Sequence, residues 1–394
     1  MRFGYFTAVL TAVALVLSAG CSDPESSGPV TLDVSTLDSG NYPATPRSMD
    51  FQLDPKYGPL REAIRIGAVM PLILDTDGRF TVQRLTSPER RVIPKVPPAL
   101  WGLDIDEFNE FTTGMIAGWT TSGERRRQFN MGRQITMHAL RFTDAAAAAT
   151  AADRLIERQA LKAPGQAVTL PNQPAARAKF TPDKRYLDVW LPREDMLLYV
   201  HVDDPVSEPL LAEDLITLAH AALTDLIEGL RAYSPTPRDQ IAALPVDVDG
   251  LLGRTLPAAT AEGKADVRSM LLPAQAALHY DLFPATTKPA LLDAGVDLVA
   301  VSDARVYRAS DAAAADRLIA AFAAQLAEGV RAIDSPPGMP TVRCFETKDT
   351  KVSSGLYPPT CLVPYDRFVG RVTGQNVQEL HQKAAAQYKL LAFR

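Results

Sequence analysis

The sequence predicts an α+β chain of two domains related by internal duplication, each a mainly antiparallel sheet covered by helices on one face. Three observations predict it. MHALRFTDAAAAATAADRLIERQ, from Met137, is matched by DARVYRASDAAAADRLIAAFAAQ, from Asp303. Both pass from a strand-like stretch through Thr-Asp or Ser-Asp into an alanine-rich helix carrying Asp-Arg-Leu-Ile. Each copy is followed by two β-rich stretches around a turn, YLDVWLPREDMLLYVHVDD from Tyr186 and TCLVPYDRFVGRVTG from Thr360, and then by an amphipathic helix. Finally, the spacings agree: Thr143 and Ser310 lie 167 positions apart, Ala212 and Asn376 164 apart. Matching offsets in separate elements argue for duplication over chance alanine matching.

The elements follow in order. Arg2, an apolar core from Phe3 to Leu17 and the small residues Ser18, Ala19 and Gly20 describe a secretory signal over residues 1–20. Cys21, directly after them, resembles the lipobox of bacterial lipoproteins, with Ser18 where that motif usually carries Leu. The resemblance implies acylation of the Cys21 thiol and anchorage on the outer face of the cell membrane. Residues 21–48 are rich in Ser, Pro, Asp, Gly and Thr and read as the lipidated cysteine plus a disordered polar tether.

Residues 49–235 and 236–394 then form the two domains, divided near SPTPRDQ from Ser234, where proline and charge interrupt the pattern. A helical stretch is expected before each repeat, over Asp106 to Trp119 and over Met270 to Tyr280. Thr143 and Ser310 are expected N-caps, with Asp144 and Asp311 set against the positive end of each helix. Ala315, Leu318, Ile319, Phe322 and Leu326 recur at helical spacing and face a core. Leu215, Ala219, Leu223, Leu226 and Leu230 do the same in the helix closing the first domain, as do Val377, Leu380, Ala384 and Leu391 in the second.

With Cys21 assigned to lipid, Cys344 and Cys361 remain as an even pair in an oxidising compartment, a structural disulfide tying neighbouring strands of the second domain. Trp190 stands near the matching place in the first domain, where packing substitutes for the bond. Lipobox, tether, two Ala-rich α+β modules and a late disulfide together resemble an uncharacterised actinobacterial two-domain lipoprotein family of unknown function. The resemblance spans nearly the whole chain and implies an envelope location, with no catalytic residues to carry over. More distantly, the late disulfide and element order are similar to extracellular sensor-type modules of actinobacteria.

The chemistry is sparse. Lys and Arg number 41 against 46 Asp and Glu, a formal charge of −5, which argues against nucleic-acid binding. Arg125-Arg126-Arg127 reads as a solvated surface. No G-x-S-x-G, HExxH, Walker A or GxGxxG pattern occurs. The histidines, at 138, 201, 220, 279 and 381, read as satisfied or surface residues. Asp247-Val-Asp249-Gly250 and Asp75-Thr-Asp77-Gly78 read as turns, the first lacking the third acid and closing glutamate of a calcium loop. Glu194-Asp195 reads as a hairpin turn.

No catalytic, cofactor-binding or metal-ligating residue is named, and no cofactor is expected; the site residues are Cys21 for lipidation and Cys344 and Cys361 for the disulfide. The expected function is non-catalytic binding of an envelope lipid, glycan or protein partner in a cleft between the domains. The alternatives are an envelope-active hydrolase or transferase with its site in that cleft, and a structural envelope or secretion component.

Overall fold

The computed structural model describes residues 32–83, 89–98, 101–128, 131–259, 268–326, 329–348 and 358–394; the signal and Cys21 lie outside them. In the first domain α1 (Gly58–Gly67) and α2 (Ile73–Thr76) precede β1 (Arg91–Val92) and α3 (Ile105–Phe111). A hairpin of β2 (Met115–Glu124) and β3 (Gln134–Phe142) leads into α4 (Ala145–Lys162). Helix α4 crosses the sheet to its far edge, β4 (Gln166–Val168). The chain then returns through β5 (Arg177–Thr181), β6 (Tyr186–Arg193) and β7 (Met196–Asp203), which pairs with β3, before α5 (Ala212–Leu230).

The second domain repeats this path. β8 (Met270–Pro273), α6 (Ala274–Leu278) and α7 (Pro284–Asp293) come first, then β9 (Leu298–Val301), β10 (Arg305–Arg308) and α8 (Ala312–Leu326). β11 (Val330–Ile333), β12 (Arg343–Thr347), β13 (Thr360–Tyr365), β14 (Phe368–Thr373) and α9 (Val377–Ala392) complete it. Among the described residues the first sheet runs β1-β2-β3-β7-β6-β5-β4 and the second β8-β9-β10-β14-β13-β12-β11. All the pairs are antiparallel, and the two orders match strand for strand. Even the central turns agree: Glu194 and Asp366 both adopt positive φ, two residues after Pro192 and Pro364.

Helices cover both faces of each sheet, not one. The reason lies in β7, where Met196 to Val200 are buried without a break. A strand apolar on both sides needs cover on both. Leu140, Trp190, Leu197 and Tyr199 face α4 through Ala148, Ala151 and Leu155. Met137, Ala139, Leu198 and Val200 face α1 and α5 in a core that continues into the second domain. There α8 packs Phe322 on Tyr307, with ring centroids 5.0 Å apart, and α9 closes the opposite face with Leu391 over Ala300 and Val306.

Four local expectations are corrected. The helix expected over Asp106–Trp119 ends at Phe111, where Thr112 donates back to the Phe108 carbonyl and Gly114 turns at φ +85. The β-branched and aromatic run beyond it is strand β2. The helix expected over Met270–Tyr280 begins as edge strand β8, and Pro273 starts the short α6. The helix caps sit one residue later than Thr143 and Ser310: Asp144 accepts from the Ala147 amide at 2.9 Å and Asp311 from the Ala314 amide at 2.8 Å. A carboxylate there meets the helix dipole as well as the orphan amide.

Residues 33–48, expected to belong to the tether, pack against the domains instead. The chain from Asp33 to Arg394 is one compact unit. Leu37 is buried, the Tyr42 hydroxyl donates to Glu379 at 3.1 Å, and Arg47 donates to the Ser269 hydroxyl at 2.7 Å. These scattered anchors hold a segment that has no apolar periodicity of its own.

Cys344 and Cys361 are bonded and stand directly opposite each other on β12 and β13. Counting back from the two central turns, the equivalent pair in the first domain is Ala178 and Val189, also directly opposed. Trp190 is therefore equivalent to Leu362, one residue further on and facing α4. Replacing both cysteines with alanine should lower stability by about 3 kcal/mol, the chain-entropy value for a loop of this length. The denaturation midpoint measures it, and reductant should reproduce the shift on the unaltered chain. No shift from either treatment would mean that strand packing alone holds this edge.

Candidate functional site

Two cavities matter. The first is a crevice of about 180 Å³ between the domains, bounded by α1, residues 244–248 of the connecting segment and β8. Leu60, Ile64, Val246, Met270 and Leu298 make its walls mainly apolar. Three arginines border it. Arg61 is committed to the Gln52 and Ala242 carbonyls and Arg91 to Glu89; Arg65 is nearly half-exposed, pairs with Glu62 at 3.4 Å and donates to the Ser234 carbonyl. Among the described residues lining it there is no carboxylate and no imidazole.

A buried network lies beside the crevice. Glu62, fully buried on α1, accepts from Arg141 Nη1 at 2.7 Å, from the Thr236 amide at 3.1 Å, from the Thr236 hydroxyl at 2.6 Å and from the Tyr233 hydroxyl. This ties α1 to β3 and to the start of the connecting segment. Burial, then the bond to Glu62, pushes the Tyr233 phenol far above its usual range. A second junction is His279. Its Nε2–H donates to the Met70 carbonyl at 3.2 Å, and Nδ1 accepts from the Thr121 hydroxyl at 2.7 Å. Trp119 packs edge-on against both His279 and Tyr280.

The second cavity, about 390 Å³, is a polar groove on the first sheet. Helix α4 covers one half of this face. The other half carries Thr120, Ser122, Thr136, His138, His201 and Asp203 beneath Val96, Pro97 and Pro98. Antiparallel register sets the rows: Ser122, Thr136, His201 and Asp188 lie directly across from one another on β2, β3, β7 and β6. His201 Nδ1 lies 2.8 Å from Asp188 Oδ1, and that buried carboxylate also accepts from Tyr199 at 2.6 Å and Gln159 at 2.7 Å. His138 is 1% exposed, stacked on Tyr199, and neither ring nitrogen has a partner among the described residues. Burial, then the neighbouring His201 and Arg90, hold its pKa down to about 3. Burial raises the Asp203 carboxyl above its ordinary range.

The sequence-derived sites fall elsewhere. Cys21 lies outside the described residues, and the Cys344–Cys361 disulfide belongs to neither cavity. Arg125 is not a solvated cation: it pairs with Asp77 at 2.8 Å over the Phe80 ring, while Arg127 sits over Phe283. Asp247 and Asp249 do form a turn, Asp247 accepting from the Leu252 and Gly253 amides. Asp75 accepts from the Leu72 amide, and Glu194 and Asp195 make the hairpin turn. His138 and His201 are what sequence reading passed over. Their signal was the polar alternation Gln134-x-Thr136-x-His138, which places three polar side chains on one face of a strand whose other residues, Arg141 apart, are apolar.

The fold and cavities define a two-domain duplicated α+β protein with an apolar crevice between its domains and a polar groove on the first. The chain belongs to a two-part family: residues 50–246 match the domain of unknown function (DUF7373) N-terminal, and residues 251–394 match its C-terminal counterpart. No curated protein matches it. Among solved structures, the extracellular domain of PknH from Mycobacterium tuberculosis is similar at 8% identity and a TM-score of 0.28, covering 42% of this chain and 96% of that one. So distant a likeness carries no argument here. A disulfide such as Cys344–Cys361 fits an exported protein, and no helix among the described residues is long and apolar enough to cross a membrane.

Proposed function

We propose that this is an exported envelope protein of actinobacterial type, anchored through acylated Cys21, that binds the apolar part of an envelope lipid in the crevice between its domains. The observation that carries the reading is the crevice itself, walled by side chains such as Leu60, Ile64 and Met270 from both domains. Apolar walls favour alkyl chains at about 25 cal/mol per Å² removed from water. Arg65, partly exposed while pairing with Glu62 at 3.4 Å and donating to the Ser234 carbonyl, keeps a positive charge at the lining where an anionic headgroup would lie. With neither carboxylate nor imidazole among its described lining residues, the crevice is suited to holding a ligand rather than transferring protons.

Native mass spectrometry tests this on the chain from Ser22 onward, which keeps the whole compact unit and lacks the acylation site. After purification from a related host, a stoichiometric lipid mass lost on denaturation is the expected result. A bare protein mass, with no uptake of a long-chain phospholipid supplied in micelles, overturns it.

A further inference from the structure

The polar groove on the first sheet is independent of the crevice and differs from it in chemistry. From its architecture we infer that it is a second ligand site, one that takes an uncharged polyhydroxyl ring, a sugar unit, with His138 and His201 reading its hydroxyl groups.

Four observations lead there. The groove is two-sided: hydroxyl, amide and imidazole groups from Thr120, Gln134, Thr136 and His138 form the floor, and Val96, Pro97 and Pro98 the roof. A pyranose has the same two characters, an apolar C–H face and a rim of hydroxyls. Its volume of about 390 Å³ falls within the ~300–1,000 Å³ usual for small-ligand sites.

Charge favours no ionic ligand. Glu89 and Asp203 line the groove opposite Arg90 and Arg91, two carboxylates against two guanidiniums, so it carries no surplus charge to select an anion or a cation. The cations at its edge are engaged: Arg91 pairs with Glu89 at 2.7 Å, and Arg90 donates to the His279 carbonyl at 2.9 Å. No group of three potential metal ligands occurs among the described residues.

The third observation is His138. Buried polar atoms nearly always have partners, yet both of its ring nitrogens lack one among the described residues. A neutral imidazole offers one N–H donor and one acceptor. A sugar hydroxyl, donor and acceptor at once, satisfies either.

The fourth is His201. Asp188 can only accept, so His201 Nδ1 carries the proton between them, and Nε2 is the ring nitrogen that bond leaves over. Thr136 lies directly between Ser122 and His201 in the cross-strand row. Three neighbouring strands thus present hydrogen-bonding groups at the strand spacing of about 4.8 Å, a spacing that suits alternate, 1,3-related equatorial hydroxyls around a pyranose ring rather than successive ones.

Saturation-transfer NMR on the chain from Ser22 onward tests this, with the methyl glycosides of glucose, mannose, galactose and N-acetylglucosamine at millimolar concentration. Inorganic phosphate and laurate serve as the alternative probes. At least one glycoside should receive saturation and shift the His138 ring resonances. His138→Phe should weaken that binding by about tenfold or more while leaving the denaturation midpoint unchanged or higher, because an unpartnered polar ring is replaced by an apolar one. Thr136→Val, on the exposed row, provides the same test should the Phe variant fold poorly. Transfer to none of the glycosides, binding of phosphate or laurate at the His138 resonances instead, or undiminished sugar binding in these variants overturns the inference. None of these results bears on lipid in the crevice.

Discussion

Replacing Glu62 with Gln is expected to destabilise the protein by about 3–5 kcal/mol, the cost of leaving a buried charge without its partner. Glu62 is fully buried, and its carboxylate gathers Arg141 from β3 and both Tyr233 and Thr236 from the start of the connecting segment. Glutamine keeps the shape but removes the charge that neutralises Arg141, whose remaining acidic contact is Asp195 at a long 3.4 Å. The cost is large against the 5–15 kcal/mol by which domains are usually stable.

Urea denaturation measures it, and a cycle with Arg141→Met isolates the pair. The double variant should lose less than Glu62→Gln alone, because neither charge is then stranded. A single-variant loss under about 1 kcal/mol would mean that water or rearrangement satisfies Arg141, and the network would lose its role as the pin between α1, β3 and the connecting segment.

Stability should also fall steeply as the pH drops below about 6.5. Burial first, then nearby Arg90, His201 and Lys288, hold His138 and His279 near pKa 3 in the folded chain. An unfolded histidine titrates near 6.5. Between those values the unfolded state binds two protons that the folded state does not, so protonation favours unfolding. Each histidine contributes about 1.4 kcal/mol per pH unit, and the two together about 2.7. From pH 7.0 to 5.0 the loss amounts to about 4 kcal/mol, in a window above most carboxylate titration.

Denaturation midpoints at pH 7.0, 6.0 and 5.0 read the slope directly. His138→Phe should halve it. A flat profile down to pH 5 would show that the two imidazoles admit protons without unfolding, and that the core around them opens more readily than its packing implies.

Much of this molecule is written locally in the chain. The duplication is legible because Asp-Arg-Leu-Ile and its alanine-rich surroundings occur twice, and because Pro192 and Pro364 mark the same hairpin. The disulfide is legible from the count of cysteines. Where local patterns compete, the reading slips: Met115 to Trp119 carry residues that suit helix or strand, and an exposed hydroxyl beside a carboxylate makes two candidate caps. The polar run from Asp33 to Ser48 reads as tether because its anchors, Leu37, Tyr42 and Arg47, follow no period.

By itself the sequence determined two α+β repeats, the strand, helix, hairpin and helix order they share from Met137 and Asp303 onward, and the pairing of Cys344 with Cys361. Tertiary structure alone decided that helices cover both faces, that an apolar crevice divides the domains and that His138 meets His201. The physical reason is sequence distance. Helix period and turn chemistry act across a few residues, so the chain displays them directly. The groove exists because α4 carries the chain away and three antiparallel strands bring it back, setting β7 beside β3 at a register no local pattern announces.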